Sequence, residues 1–143
     1  MSNILNISDA ASMALRIMAL LAMYPDHMLS THDAAKSIKV SEHHLAKVRQ
    51  RLTKAGLLKS ERGPGGGFKL SKPPQKITLL EIYEAIEGRM TGSYCLIDRP
   101  ACSRNKCIFG DMIENINKQV KNHLAVTTLD KLSQSFIKEQ KCQ

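Results

Sequence analysis

Residues 31–70 read THDAAKSIKV SEHHLAKVRQ RLTKAGLLKS ERGPGGGFKL, and this stretch decides the fold. Thr31 is a cap residue ahead of a short helical pattern, which a break at 39–40 ends. Ser41 then caps a second helix, and Gly56 supplies a left-handed stop after it. The inward positions of this second helix are Leu45, Val48 and Leu52. Two helices joined by a tight turn predict a helix-turn-helix.

A β-hairpin is expected directly after the second helix. Residues 57–60 and 67–70 have the character of short strands, and they flank the glycine-rich run RGPGGG at 62–67. Glycines at such a tip let the backbone approach a phosphate chain without side-chain bulk. A hairpin that follows a helix-turn-helix makes a winged helix, so the sequence predicts a mainly α fold with a two-stranded wing.

Helical patterns continue on both sides of this unit. A first helix is expected between the cap residue Ser8 and Pro25. A fourth helix starts at a capping box formed by Thr78 and Glu81 and reaches Gly88. These helices supply the remaining apolar faces that a winged unit needs for its core.

The chain divides into three parts on these patterns. Residues 1–88 are expected to form a winged helix-turn-helix domain. Residues 89–107 form a loop whose cysteines are candidates for binding an inorganic cluster, and residues 108–143 are the C-terminal part. From Phe109, apolar residues step by threes and fours for about four turns, which predicts a long helix. Its apolar stripe needs a partner, so we expect it to be a dimerisation helix. A last helix follows residues 127–128.

The net charge of +8 is confined to one part of the chain. Residues 36–72 hold ten of the 21 Lys and Arg residues but two of the 13 acids, so the rest has eleven of each. A polyanion such as double-stranded DNA is therefore expected to meet this stretch. The alternative is a solvated basic face without a partner.

Composition argues against several classes of protein. A chain of 143 residues with 43% hydrophobic and 24% charged residues is typical of one soluble globular domain. It has no run of eighteen apolar residues, so no membrane span is expected. Segment 10–24 lacks a basic leader and contains Arg16, which favours a cytoplasmic protein over a secreted one. We see no paired carboxylates, activated nucleophile or phosphate loop, and we therefore expect no enzyme.

The second helix of a helix-turn-helix lies in the major groove and presents its first turns to base edges. The candidate DNA contacts are Ser41, His43, His44, Lys47, Arg49 and Arg51 on this helix and Arg62, Gly65 and Gly66 on the wing. We expect Arg49 and Arg51 to face the phosphate backbone. His43 and His44 form a solvated pair in the alternative interpretation. A shared metal ion is disfavoured, because neighbours on a helix point about 100° apart.

Three cysteines, Cys95, Cys102 and Cys107, lie within thirteen residues with the spacing C-x6-C-x4-C. Clustered thiols in an intracellular protein usually bind metal or sense redox state, since structural disulfides are uncommon there. Zinc sites favour shorter CxxC spacings and four ligands, whereas thiolates on an open loop suit an iron–sulfur cluster. Zinc and three free thiols are the alternatives.

A cluster needs a fourth ligand in addition to these three sulfurs. The candidates are Asp111, Glu114, His123 and Cys142 of the same chain, and Asp9 or Ser12 of a partner subunit. Cys142 lies close to the C-terminus, and we expect it to be unligated. A weak or oxygen-type ligand would leave one iron exchangeable, as a sensor of a small diatomic molecule or of an oxidant requires.

Four stretches of the chain have counterparts in one known family. They are RGPGGGF at 62–68, LLEI at 79–82, the three-cysteine loop, and TLDKL at 128–132. Through them nearly the whole chain resembles the Rrf-type winged-helix regulators, the family of IscR, NsrR and RirA. The resemblance implies a homodimeric bacterial transcription regulator whose DNA affinity is controlled by a 2Fe–2S or 4Fe–4S cluster. It also implies DNA contacts at His43, Ala46, Lys47 and Arg62.

The chain departs from two members of that family. Ala46 stands where the iron–sulfur biogenesis member has an acidic residue, and Gly110 stands where that member has a histidine ligand. The aspartate ligand of the nitric-oxide-sensing member aligns with Ser12, and Asp9 lies about one turn earlier. The resemblance therefore leaves the fourth ligand and the cluster type open.

Two kinds of regulation are compatible with these residues. The leading hypothesis is a cluster-dependent regulator that senses nitric oxide, redox state or the supply of iron and clusters. The alternative is a thiol–disulfide switch of the same fold without a cluster.

Overall fold

A computed structural model of the chain describes residues 7–91 and 108–140. Its helices are α1 (Asp9–Met23), α2 (Thr31–Ile38), α3 (Glu42–Lys54), α4 (Leu79–Glu87), α5 (Met112–Val126) and α6 (Leu129–Gln140). The strands are β1 (Leu58–Glu61) and β2 (Gly67–Leu70), and a short 3-10 helix covers Pro74–Lys76. The described part is mainly helical with one two-stranded antiparallel sheet, as predicted. None of its helices has the length and apolar character that crossing a membrane requires.

Serine caps begin the first three helices. The hydroxyls of Ser8, Ser30 and Ser41 each accept a hydrogen bond from the backbone amide three residues later. The predicted cap Thr31 is wrong by one residue, because Ser30 already supplies the accepting oxygen and Thr31 is the first helical residue. The predicted break after α2 is confirmed, since Lys39 adopts a left-handed conformation with φ of 55°.

The hairpin is joined by a third segment of chain. Strands β1 and β2 pair with Leu58 opposite Leu70, so β1 begins one residue later than the predicted strand. Leu29, which precedes α2, exchanges backbone hydrogen bonds of 3.1 and 2.9 Å with Phe68. This bridge holds the wing against the connection between α1 and α2.

One apolar core joins helices α1–α4, the sheet and the start of α6. Its largest fully buried side chains are Phe68, Ile17, Met18, Leu21, Leu45, Leu52, Ile77, Ile82 and Leu129. Arg16 interrupts the apolar sequence of α1 for a structural reason. Its guanidinium donates to the carbonyl oxygen of Ile38 at 2.5 Å, which satisfies an acceptor at the C-terminal end of α2.

The start of α6 is fastened to the start of α4. The amide of Leu79 donates to the carbonyl of Thr127 at 2.9 Å, and the amide of Leu129 donates to the carbonyl of Ile77 at 2.8 Å. The predicted capping box of α4 lies beside this bridge. Helix α6 is thus part of the same packed unit as the helix-turn-helix.

Helix α5 leaves apolar side chains in solvent. It begins at Met112 rather than at the predicted Phe109, because residues 108–111 form a turn. It runs for about four turns, as the sequence predicts. Ile113 is buried, whereas Met112 and Val126 are 46% and 69% exposed. The stripe therefore lacks a full set of partners within residues 7–91 and 108–140.

Replacing Gly67 with alanine is expected to destabilise the wing. An added Cβ would lie 2.3 Å from the carbonyl oxygen of Leu29, so the two backbones would have to separate. We expect the free energy of unfolding to fall by roughly 1–3 kcal/mol, as at other overpacked sites. Urea denaturation would measure the change. Lys59→Ala, on an exposed position of β1, is the control, and equal stability of the two variants would contradict the prediction.

The carboxylate of Glu81 makes stability depend on pH. Burial by itself raises the pKa of Glu81, but hydrogen bonds from Lys72 and the Thr78 backbone outweigh it, so the pKa lies below its ordinary value. Lys72 Nζ is 2.7 Å from Glu81 Oε1. Because the folded pKa is depressed, this contribution is present above the unfolded-state pKa and is lost as pH falls through the folded-state pKa.

We therefore expect the wild-type chain to lose stability below about pH 5 more steeply than Glu81→Gln, whose side chain does not titrate. Both side chains of the pair are more than a third exposed, so the difference near neutral pH should be only about 1 kcal/mol. Thermal unfolding across this pH range would test it, with Glu61→Gln as an exposed control. Parallel pH profiles for wild type and Glu81→Gln would count against the prediction.

Candidate nucleic-acid interface

Helix α3 presents one face to the core and the other to solvent. Its buried side chains are Leu45, Val48 and Leu52. Between Glu42 and Gln50 its exposed side chains are Glu42, His43, His44, Lys47 and Gln50. His43, Lys47 and Gln50 are three or four positions apart, so they form one strip along the helix. This strip faces solvent and is accessible to a binding partner.

The first turn of α3 combines a structural cap with two exposed imidazoles. The hydroxyl of Ser41 accepts from the amide of His44 at 3.2 Å, so Ser41 fixes the start of the helix. The ring centroids of His43 and His44 are 6.2 Å apart and the planes are tilted by 54°. The two rings therefore offer separate hydrogen-bonding groups at the N-terminal end of α3.

A side-chain hydrogen bond that sequence analysis missed joins the two helices of the helix-turn-helix. His32 Nδ1 on α2 lies 2.5 Å from Glu42 Oε1 on α3, and both side chains are exposed. The residues are ten positions apart, and no periodic pattern connects them. The contact places the imidazole of His32 next to Glu42, the acidic residue that precedes the exposed strip.

The acids of the basic stretch both lie close to bases. Glu42 is paired with His32, and the Glu61 carboxylate lies 4.0 Å from Lys69 Nζ. The exposed bases of the stretch are Lys36, Lys39, Lys47, Arg51, Lys54, Lys59 and Arg62. The excess positive charge predicted for residues 36–72 is therefore on the surface.

The wing tip is a tight turn made by its glycines. Arg62 and Gly65 are exposed, and the amide of Gly66 donates to the carbonyl of Gly63 at 2.9 Å. A Cβ on Gly66 would lie 2.5 Å from the carbonyl oxygen of Glu61, so only glycine fits this turn. The tip thus presents backbone and one arginine beside α3, and its glycines are also required by the fold.

Arg49 is partly buried between α3 and the wing. Its guanidinium carbon lies 5.7 Å from the centroid of the Phe68 ring, a cation–π contact. Its Nη1 is 3.4 Å from the hydroxyl of Ser60 on β1. Its Nε is buried and has no hydrogen-bond partner within the described residues. Arg49 therefore braces α3 against both strands of the wing.

Arg51 also has an intramolecular partner. Its Nη1 donates to the carbonyl oxygen of Ile86 at 3.1 Å, which links α3 to the C-terminal end of α4. Both arginines thus have structural partners besides the phosphate contacts predicted for them. The sequence carries no signal for these partners, because they lie 19 and 35 positions away in the chain.

The predicted cluster ligands are described only in part. Cys95, Cys102 and Cys107 lie outside the described residues, and so does Cys142. Of the candidates for a fourth ligand, Asp9 and Ser12 are exposed on the first turn of α1, and Asp111 is exposed ahead of α5. Within residues 7–91 and 108–140, no three His, Cys, Asp or Glu side chains are arranged to hold a metal ion.

One contact bears on the fit of a cluster. The Ser8 hydroxyl, at the cap of α1, donates to the carboxylate of Glu87 at the end of α4. The start of α1, with Asp9 and Ser12, therefore lies beside the point from which the chain continues to residues 92–107. The described residues on either side of this contact include the oxygen donors of Asp9 and Ser12, whose side chains are exposed.

The family model of Rrf2, described as an iron-dependent transcriptional regulator, matches residues 7–135 of the chain. This range contains the helix-turn-helix, the wing and the long helix α5. It also contains the three-cysteine segment. The match therefore extends over all of the features from which the sequence analysis predicted a regulator.

Individual proteins agree with the family match. An HTH-type transcriptional regulator of Aquifex aeolicus is 34% identical over 128 residues, which cover 87% of this chain and 89% of that protein. NsrR of Shouchella clausii is 33% identical over 97 residues, or 62% of this chain and 65% of NsrR. The structure of CymR, the global cysteine regulator of B. subtilis, has 32% identity and a TM-score of 0.79, covering 92% of this chain and 98% of CymR. The prediction of a regulator rather than an enzyme is confirmed, and the chain belongs to the Rrf2 family of transcriptional regulators.

Proposed function

We propose that this chain is a homodimeric regulator in the cytoplasm whose affinity for operator DNA depends on an iron–sulfur cluster. Cys95, Cys102 and Cys107 are the proposed sulfur ligands. The observation that carries the proposal is the exposed strip of α3 next to a basic wing, in a family described as iron-dependent transcriptional regulators. The spacing of the three cysteines and this family description support the dependence on a cluster.

DNA binding by the winged unit follows from the geometry of α3. The side chains of His43, His44 and Lys47 point away from the core and are hydrogen-bond donors, which suits guanine acceptors or phosphates in a major groove. Arg62 and the exposed backbone of Gly65 at the wing tip are suited to phosphates or a minor groove. The surrounding lysines add attraction that does not depend on base sequence.

A second copy of the chain is proposed to pack along α5. Helix α5 exposes Met112 and Val126, and a groove of about 490 Å³ lies between α1, α4 and α5. The groove is lined mainly by apolar side chains, among them Leu15, Tyr83 and Leu124. Burial of these groups in a dimer would remove apolar surface from water. It would also place two copies of α3 on one operator, about one helical turn of DNA apart.

The proposed cluster would be held by the three thiolates and one further ligand, for which Asp9, Ser12 and Asp111 are the candidates. When bound, the cluster supplies iron that can react with nitric oxide or with an oxidant. Binding through Cys95, Cys102 and Cys107 would order the loop 89–107, which connects α4 to α5 in the sequence. The order of this segment would set the distance between the two copies of α3, and thereby the affinity for an operator of fixed spacing.

A thiol–disulfide switch of the same fold is the second candidate. The observation that favours it is the similarity to CymR, the global cysteine regulator of B. subtilis, which extends over 92% of this chain. In this version two of the three cysteines would form a disulfide under an oxidant, and residues 92–107 would be constrained by that bond instead of by iron.

Lys47→Ala is expected to weaken binding to the promoter DNA upstream of the chain's own gene by about tenfold, because a base or phosphate contact is removed. If Lys47 contacts phosphate, the slope of log affinity against log salt should also fall by about one. Fluorescence anisotropy at several salt concentrations would measure both. Lys131→Ala removes an exposed base from α6 and is the control. Equal loss in the two variants would contradict a specific role for α3.

The triple variant Cys95→Ala, Cys102→Ala, Cys107→Ala is expected to be colourless when purified without air, whereas the wild type shows visible absorption and contains iron and sulfide. Cys142→Ala is the matched control and should keep the absorption. A colourless wild type that forms an intrachain disulfide with an oxidant would support the thiol switch instead. A coloured triple variant would exclude these three cysteines as the ligands.

A further inference from the structure

The C-terminal end of α4 is a junction of three parts of the fold. Its Glu87 carboxylate accepts from Ser8 at the cap of α1, and its Ile86 carbonyl accepts from Arg51 of α3. The Glu84 carboxylate accepts from the amide of Met90 at 3.0 Å, in the chain that continues to residues 92–107. The start of α1, the helix with the exposed strip, and the connection to the cysteines therefore meet at one turn of helix.

The contact between Arg51 and Ile86 fills a gap in the hydrogen bonding of α4. The last carbonyls of a helix have no donor four residues on within the helix. The next donor after Ile86 in that pattern is the amide of Met90, and this amide donates to the Glu84 side chain instead. A cationic guanidinium at this end of a helix is also favoured by the helix dipole. The Ile86 side chain is buried, so the accepting carbonyl is held in place by the core.

We propose that Arg51 is a positioning residue that transmits the state of the cysteine-bearing segment to α3 through the Ile86 carbonyl. This inference rests on the proposed function, in which residues 92–107 control DNA affinity. The cysteine-bearing loop at 89–107 begins three residues after Ile86. A shift of the end of α4 moves the carbonyl, and the directional hydrogen bond from Arg51 carries α3 with it. Lys47 lies one turn before Arg51 on the same helix and moves as part of the same rigid element.

A positioning residue and a phosphate contact have different effects on the two DNA affinities. A phosphate contact would contribute equally to DNA binding in both states of the cysteines and would add about one to the salt dependence. A positioning residue changes the ratio of the two affinities. The ratio is therefore the quantity to measure, together with the salt dependence of each affinity.

The experiment compares Arg51→Met with Lys54→Met in the full-length chain. Methionine keeps an unbranched apolar stem, and each variant removes one positive charge from α3, so differences between them report the carbonyl contact. Affinity for the promoter fragment is measured by anisotropy for protein with intact cluster and for protein after cluster removal, or for reduced and oxidised thiols. The ratio is taken as the higher of the two affinities divided by the lower. We expect it to fall by about fivefold in Arg51→Met and to stay unchanged in Lys54→Met.

Arg51→Lys keeps a cationic donor and is expected to retain most of the wild-type ratio. This second variant keeps the inference testable if Arg51→Met folds poorly. An unchanged ratio in Arg51→Met, with both affinities weakened equally and the salt slope reduced, would identify a phosphate contact and overturn the inference. A lowered melting temperature with an unchanged ratio would identify a purely structural residue and overturn it as well. A wild-type ratio of one would instead overturn the proposed function, and the inference with it.

Discussion

Burial of Leu45, Val48 and Leu52 against α1 and the rest of the core fixes the rotation of α3 about its own axis. The orientation of the opposite face follows from this constraint. Arg49 on the Phe68 ring and Arg51 on the Ile86 carbonyl then fix the helix relative to the wing and to α4. A helix that recognises base edges must hold its donors at set distances from the phosphate contacts, and these three sets of contacts provide that rigidity.

Local signals in the sequence predict most of the fold. Ser41 and the pair Thr78 and Glu81 cap helices where expected, because a capping hydroxyl acts on an amide only three residues away. Apolar spacing predicts that Leu45, Val48 and Leu52 of α3 are buried. The glycines at 62–67 predict the hairpin, because its tip requires residues without a side chain.

Contacts between distant residues were not predictable in the same way. The bridge of Leu29 to Phe68 and the bond from Arg51 to Ile86 depend on where whole elements pack, and propensity or periodicity carries no information on that. In the candidate site, exposure of His43 and Lys47 could be predicted, whereas the internal partners of the arginines could not. For the cysteines the spacing indicates a cofactor or a redox pair, and it leaves a fourth ligand open because the spacing of the cysteines carries no information on residues of other elements.

The bridge between the starts of α4 and α6 has a consequence for the independence of the DNA-binding unit. Leu129 is fully buried in the core that also contains Ile17 and Ile82. A fragment that stopped after α4 would leave an apolar hole where this leucine sits, and would leave the amide of Leu79 without its acceptor. The winged unit therefore depends on α6 for its stability and is not an independent domain that could be excised or grafted onto another protein. Its last structural piece follows Cys95, Cys102 and Cys107 in the chain and is therefore synthesised after them.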